Sequence, residues 1–161
     1  MTLTFYLNDE TATQQCAEQL AGCLASSASA PDGGLFYLHG DLGAGKTTFV
    51  RAFLRRLGVS GRIKSPSYAL AEQYQLKQQN AYHLDFYRFD DPREWLDAGF
   101  REFFYEPRAI VLVEWPEQAK GLLPAADLEL YFHYEEPGRR LELRPGSDKA
   151  RRWLEQLAAR S

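Results

Sequence analysis

The sequence predicts an α/β fold in three layers, with a mostly parallel central sheet that carries antiparallel hairpin additions. Three observations predict it. The apolar run Leu35-Phe36-Tyr37-Leu38 leads into the glycine-rich stretch Gly40-Asp41-Leu42-Gly43-Ala44-Gly45-Lys46-Thr47, and a helical pattern comes directly after it. A second run, Ala109-Ile110-Val111-Leu112-Val113, has no polar face and reads as a parallel strand buried on both sides. Hairpin-like segments with alternating apolar residues lie on either side of that run.

The glycine-rich stretch has the form of a phosphate-binding loop, which makes the expected fold P-loop NTPase-like. A triphosphate concentrates negative charge, and its site needs many donors without side chains in the way. Glycines at Gly40, Gly43 and Gly45 let backbone N–H groups close around a phosphate. Lys46 would reach the β- and γ-phosphate oxygens as a mobile charge, and the Thr47 hydroxyl would take a place around Mg²⁺. The start of the next helix adds its positive dipole end. A glycine-rich turn can match this pattern by accident; the strand before and the helix after argue against accident here.

Composition sets the bounds. A chain of 161 residues with 45% apolar residues suits one domain, residues 1–161. The formal net charge of −3 disfavours a general polyanion-binding surface, so contact with nucleic acid would need a local patch or a partner. No apolar run is long enough to span a bilayer, and Met1-Thr2-Leu3-Thr4-Phe5 lacks the features of a secretory signal, so a cytoplasmic protein is expected. Cys16 and Cys23 fall two helical turns apart, about 10 Å, too far for a disulfide.

In chain order, Leu3, Phe5 and Leu7 alternate as a strand with one buried face. Asn8 or Asp9 can cap a helix with the stripe Ala12, Cys16, Leu20, Ala21 and Leu24. Ser26–Gly34 has the composition of a surface loop. After Lys46, Phe49, Val50, Phe53, Leu54 and Leu57 share a helical face, and Gly58 stands where the helix should end. Tyr68–Leu76 and Ala81–Phe89 read as a hairpin turning at Gln78-Gln79-Asn80, an antiparallel insertion beside the parallel core. Asp91-Pro92-Arg93-Glu94 has the form of a helix start, and Gly99 should split the segment running on through Phe103 and Phe104 into two short helices. Leu128, Leu130 and Phe132 alternate, Glu135-Glu136-Pro137-Gly138 turns the chain, and Leu141 with Leu143 marks the returning strand. Ser147 can cap a last helix that buries Ala150, Trp153, Leu154 and Leu157.

A phosphate loop alone binds; hydrolysis or transfer also needs a carboxylate to organise Mg²⁺ and water. Glu114 is the leading candidate, because the carboxyl end of a parallel strand beside the loop is where an acid meets the metal. The plainer reading is a strand reaching solvent. Trp115-Pro116 could wall the site or belong to the core. In His83-Leu84-Asp85-Phe86-Tyr87-Arg88, the residues His83, Asp85 and Tyr87 share a strand face that could face the γ-phosphate or could be an ordinary polar face of an edge hairpin. Two ligands are too few for a zinc site from His83 and Asp85. Ser65-Pro66-Ser67 lies where nucleotide switches often lie, although a turn explains it as well. Arg51, Arg55, Arg56, Arg62 and Lys64 make a basic concentration whose default reading is a solvated helix face.

Four segments in this order and spacing resemble the bacterial TsaE (YjeE) family: Gly40–Thr48, Ser65-Pro66-Ser67-Tyr68, His83–Arg88 and Val113-Glu114-Trp115-Pro116. The resemblance covers nearly the whole chain, and its last two segments are more family-specific than the phosphate loop. It implies a small Mg²⁺-dependent ATPase, binding ATP and ADP, required for threonylcarbamoylation of the adenosine beside the anticodon of tRNA. It implies association with the TsaD–TsaB pair, whose turnover ATP hydrolysis would reset, with tRNA met through that complex and no membrane involved. Carried over, Thr47 and Glu114 would be Mg²⁺ ligands, and Lys46 with the loop through Thr48 would hold phosphates. Asp85 would support hydrolysis, and Thr13 and Arg139 would approach the base or sugar. One departure is Ser67, where the family usually has threonine; the hydroxyl is kept.

Other readings are possible from the residues. A P-loop small-molecule kinase would need an acceptor pocket and a mobile arginine-bearing lid, and no obvious insertion of that kind comes after the core. A GTPase would need an Asn-Lys-x-Asp signature, which is missing. A nucleotide-gated binding module would differ from an ATPase only in rate. No arginine finger is evident, so slow turnover alone, raised by a partner, is expected.

Overall fold

The computed structural model describes residues 1–25, 32–66, 69–97, 99–119 and 121–160. Its elements are β1 (Leu3–Leu7), α1 (Glu10–Ala25), β2 (Gly34–His39), α2 (Lys46–Leu57), β3 (Ala71–Gln75), β4 (Asn80–Asp85), α3 (Glu94–Asp97), β5 (Ile110–Glu114), β6 (Leu128–Glu135), β7 (Gly138–Pro145) and α4 (Asp148–Arg160), with 3₁₀ turns at Phe100–Tyr105 and Pro116–Ala119. The strands form one seven-stranded mixed sheet in the order β1-β7-β6-β2-β5-β4-β3. The middle strands β6, β2, β5 and β4 run parallel, while β3 on one side and the β7–β1 pair on the other are antiparallel.

Apolar residues on both faces of the middle strands require a layer on each side. Phe36, Leu38, Ile110, Leu112 and Leu130 face α1, α2 and α4, where Leu20, Phe49, Phe53, Leu54, Trp153 and Leu154 complete one core. Tyr37, Leu84, Val111 and Val113 face the other way, against Trp95, Phe86 and the 3₁₀ turn bearing Phe103 and Phe104. The sheet is thus the middle of three layers.

The helix ends are set by their capping residues. Asp9 caps α1, its side chain accepting the Ala12 N–H at 2.8 Å. Gly58 ends α2 in the left-handed conformation, with φ 115°. Ahead of α3, Glu94 accepts the Asp91 N–H at 3.0 Å, and the Asp91 carboxylate accepts the Arg93 N–H at 2.9 Å. Ser147 accepts the Ala150 N–H at 3.3 Å at the head of α4. Cys16 and Cys23 are both buried, and burial pushes the Cys16 thiol up to about 12.

Three expectations change. The segment Ala81–Phe89 is not the far strand of an insertion lying beside the core: β4 stops at Asp85 and pairs parallel with β5, so it belongs to the core, and only β3 lies at the edge. Tyr87 therefore lies beyond the strand that carries His83 and Asp85. The strand expected from Tyr68 begins instead at Ala71, because Leu70 takes φ 67° and breaks extended geometry. Of the expected Ser26–Gly34 loop, positions 26–31 lie outside the described residues, and Gly34 already belongs to β2.

Candidate functional site

The parallel strands end together on one edge of the sheet. Register pairs Leu38 of β2 with Glu114 of β5, and Glu114 in turn with Asp85 of β4. The loop Gly40–Gly45 rises from the end of β2 beside these acids and feeds α2.

Three glycines shape the loop. Gly40, Gly43 and Gly45 have φ of 150°, 78° and 104°, a region where other residues are strained. At Gly40 a Cβ would also stand 2.9 Å from the Phe132 carbonyl oxygen, so the loop packs on β6 as closely as backbone allows. Gly45 caps α2 with no side-chain hydrogen bond, which leaves the amides of the first helical turn for an anion.

Lys46 is buried at 4% exposure, its ammonium donating to the Gly40 carbonyl and lying 3.9 Å from the centre of the Trp115 ring. Burial pushes its pKa below the usual lysine range, against the pull of Glu114 and other nearby carboxylates. The Thr47 hydroxyl stands 3.3 and 3.4 Å from the two carboxylate oxygens of Glu114. Glu114 is 3% exposed and His83 1% exposed, with 2.6 Å between Glu114 Oε2 and His83 Nε2. Asp85 accepts the Tyr87 N–H at 2.9 Å. Burial raises its pKa, and the Tyr87 bond only partly opposes this.

The β6–β7 hairpin grips the loop from the other side. Arg139 donates to the Gly43 carbonyl at 3.1 Å, and its guanidinium lies 4.0 Å from the centre of the Tyr134 ring. Tyr134 donates to the Leu42 carbonyl at 3.3 Å. Asp41, Leu42 and Gly43 are exposed at the loop's crest, and Ala44 is buried beneath them. Thr13 packs its methyl group toward Gly45 and turns its hydroxyl back to the Asp9 carbonyl.

The structure thus gathers Lys46, Thr47, Glu114 and Asp85 around the foot of the loop, while Thr13 lies toward Gly45 and Arg139 bonds Gly43. Thr48 stands apart, lining the α1–α2 groove with Glu10, Gln14 and Arg51. Arg55 spends its donors on the Val59 and Gly61 carbonyls, at 3.1 and 2.6 Å, so part of the basic concentration fastens the end of α2. Pro66 accepts the Leu70 N–H at 2.7 Å, while Ser67 and Tyr68 lie outside the described residues. Sequence reasoning missed Tyr134, although counting back from the Glu135–Gly138 turn places it opposite Arg139. It weighed His83 as a group near the γ-phosphate or as part of an ordinary polar face of an edge hairpin, whereas His83 faces Glu114.

The donor set fits a magnesium nucleotide. Mg²⁺ keeps most of its waters and takes one or two protein ligands beside phosphate oxygens, which Thr47 and Glu114 together can provide. Among the described residues no group of three His, Cys, Asp or Glu side chains forms an all-protein metal cage. Nor, among them, is any helix long and apolar enough to cross a membrane.

A parallel strand, a glycine loop and a helix, with an acid at the end of the neighbouring strand, define a P-loop protein of the nucleotide-binding class. The family model described as "Threonylcarbamoyl adenosine biosynthesis protein TsaE" matches residues 7–141, and the chain belongs to the TsaE family. The tRNA threonylcarbamoyladenosine biosynthesis protein TsaE of Haemophilus influenzae is 43% identical over 109 residues, 68% of each chain. The protein of that name from Synechocystis is 36% identical over 125 residues, 75% of this chain and 74% of its own. The crystal structure of YdiB from Bacillus subtilis superposes with a TM-score of 0.78 at 25% identity, covering 99% of this chain and 96% of that one.

Proposed function

We propose that this chain is an ATP-binding and ATP-hydrolysing accessory protein of tRNA threonylcarbamoyladenosine modification, acting with the TsaD–TsaB complex to support its turnover. The observation that carries the ATPase reading is the approach of Thr47 to Glu114 across the foot of the loop. A hydroxyl and a buried carboxylate side by side support a metal held there beside phosphates.

In this reading residues 1–161 act as a single nucleotide-binding domain in the cytoplasm. Lys46 leaves the Gly40 carbonyl for the β- and γ-phosphates, and the loop amides through Thr48 hold the remaining oxygens. Thr47 and Glu114 hold Mg²⁺, which supplies neutralisation of phosphate charge. Asp85 orients water for attack, and Trp115 keeps bulk solvent from the ammonium. Thr13 and Arg139 border the sugar and base. The part in tRNA modification is supported by family membership and by the names of the relatives. Contact with tRNA is made through TsaD–TsaB.

The deciding experiment measures Mg-ATP turnover of the purified chain, alone and with TsaD–TsaB and tRNA. Slow turnover that rises with the pair supports the reading. Turnover indifferent to the pair overturns the coupling and directs attention to small-molecule phosphoryl acceptors.

A further inference from the structure

His83 sits on β4 beneath the metal end of the site, with its ring enclosed at 1% exposure. Nothing in the roles above uses it. Its Nε2 lies 2.6 Å from Glu114 Oε2, a short contact between two buried side chains drawn together by the register of β4 on β5. The ring's other nitrogen, Nδ1, is buried and has no hydrogen-bond partner among the described residues. A bare Nδ1–H would be an unsatisfied donor, whereas a bare lone pair costs less, so the proton belongs on Nε2 and points at Glu114.

The carboxylate needs this. Glu114 is 3% exposed, so water is nearly absent from its shell, and its only other side-chain hydrogen bond among the described residues is the longer one from Thr47. An enclosed carboxylate without a firm donor has nothing to hold its orientation. The bond from His83 fixes Oε2 and so fixes the direction of Oε1.

We propose that His83 is the positioning residue for Glu114, holding one carboxylate oxygen so that the other is presented to a divalent cation beside Thr47. The proposal rests on the reading of Glu114 as a metal ligand and adds the group that orients it. Histidine suits the role because its ring is rigid and spans from the β4 backbone to the carboxylate with a single donor in a fixed direction.

The test compares wild type, His83→Gln and His83→Leu in two measurements: ADP affinity with Mg²⁺ and with EDTA, and the Mg²⁺ concentration giving half-maximal ATP turnover. Gln keeps an amide donor where Nε2 stands; Leu fills the space without one. For His83→Leu the Mg²⁺ requirement should rise about 10-fold or more, the usual cost of losing a group that orients a metal ligand. Its ADP affinity in EDTA should stay close to wild type, and His83→Gln should recover most of the loss. Thermal unfolding of both variants identifies any loss that is merely structural. A His83→Leu chain that folds and keeps the wild-type Mg²⁺ requirement overturns the proposal, as does a folded His83→Gln no better than Leu. If wild-type ADP binding ignores Mg²⁺, the assignment of Glu114 to the metal fails and this proposal falls with it, a result read from wild type alone.

Discussion

Lys46 holds its ammonium 3.9 Å from the centre of the Trp115 ring while donating to the carbonyl of Gly40, six residues back at the start of its own loop. Trp115 is set for this contact by its φ of 59°, which turns the chain sharply after β5. The charge is thus parked on local partners inside a buried site, and a phosphate would have to compete for it.

That parking predicts how Lys46→Met behaves. Burial holds the Lys46 pKa below its ordinary value of 10.5. The folded chain therefore binds this proton less readily than the unfolded one, and its stability gains as pH rises through the lowered pKa towards 10.5. In EDTA the variant should unfold at a higher temperature than wild type at pH 7, and the gap should close as pH approaches 10.5. Nucleotide affinity should fall about 100-fold, as expected for losing one or two charge-assisted bonds. Thermal unfolding across pH, with and without Mg-ATP, checks both parts; a gap constant with pH would contradict the burial argument.

Glu114→Gln separates binding from turnover. The amide preserves size and can still accept from His83 and Thr47, so the fold should hold. The backbone donors and Lys46 remain, and ADP affinity in EDTA should change less than about 3-fold, within half a hydrogen bond's net worth. Mg²⁺-dependent turnover should drop about 100-fold, the scale of losing a group that organises a catalytic metal and its water. Equal losses in binding and turnover would contradict the role given to Glu114.

Arg139 and Tyr134 are cross-strand partners that each donate to a loop carbonyl, on Gly43 and Leu42 respectively. Together they clamp the loop's crest from outside. Removing the guanidinium in Arg139→Ala should loosen the loop more than the sheet, so unfolding should shift little. ADP affinity should fall roughly 10-fold, near the worth of one hydrogen bond from a charged donor. Isothermal titration decides it, and unchanged affinity would mean the clamp is incidental.

How far the sequence alone reaches differs from element to element. Strand β2, its loop and α2 were fully legible, since a strong apolar period, a glycine at Gly58 and the phosphate-loop pattern all describe local structure. The hairpin β6–β7 was legible because its turn fixes the register. The position of β4 was not: the turn at Gln78-Gln79-Asn80 revealed only its pairing with β3, and pairing with β5, almost thirty residues away, is tertiary. The site divides in the same way. Lys46 and Thr47 announce themselves in a contiguous motif, and Glu114 by ending an apolar strand. The bond from His83 to Glu114 depends on two strands meeting in one register, which no local pattern encodes.

Asp85 lies beside Glu114 in the sheet register, at the end of β4, and burial raises its pKa above the usual 3.8. A raised carboxyl pKa means that the folded chain holds this proton more tightly than the unfolded one. The stabilisation is present below pH 3.8 and is lost as pH rises through the folded value, so ionised Asp85 is a cost at neutral pH. Asp85→Asn removes that charge and keeps an oxygen for the Tyr87 N–H. In EDTA the variant should match wild type near pH 3 and unfold at a higher temperature at pH 7. If Asp85 orients the attacking water, turnover should fall about 100-fold, the lower range for loss of a group that positions or accepts a proton. A chain that grows more stable while losing activity is what a charge placed for chemistry rather than for folding produces. Paired unfolding and turnover measurements on this one variant test that trade directly, and a variant both less stable at pH 7 and fully active would show that Asp85 serves the fold alone.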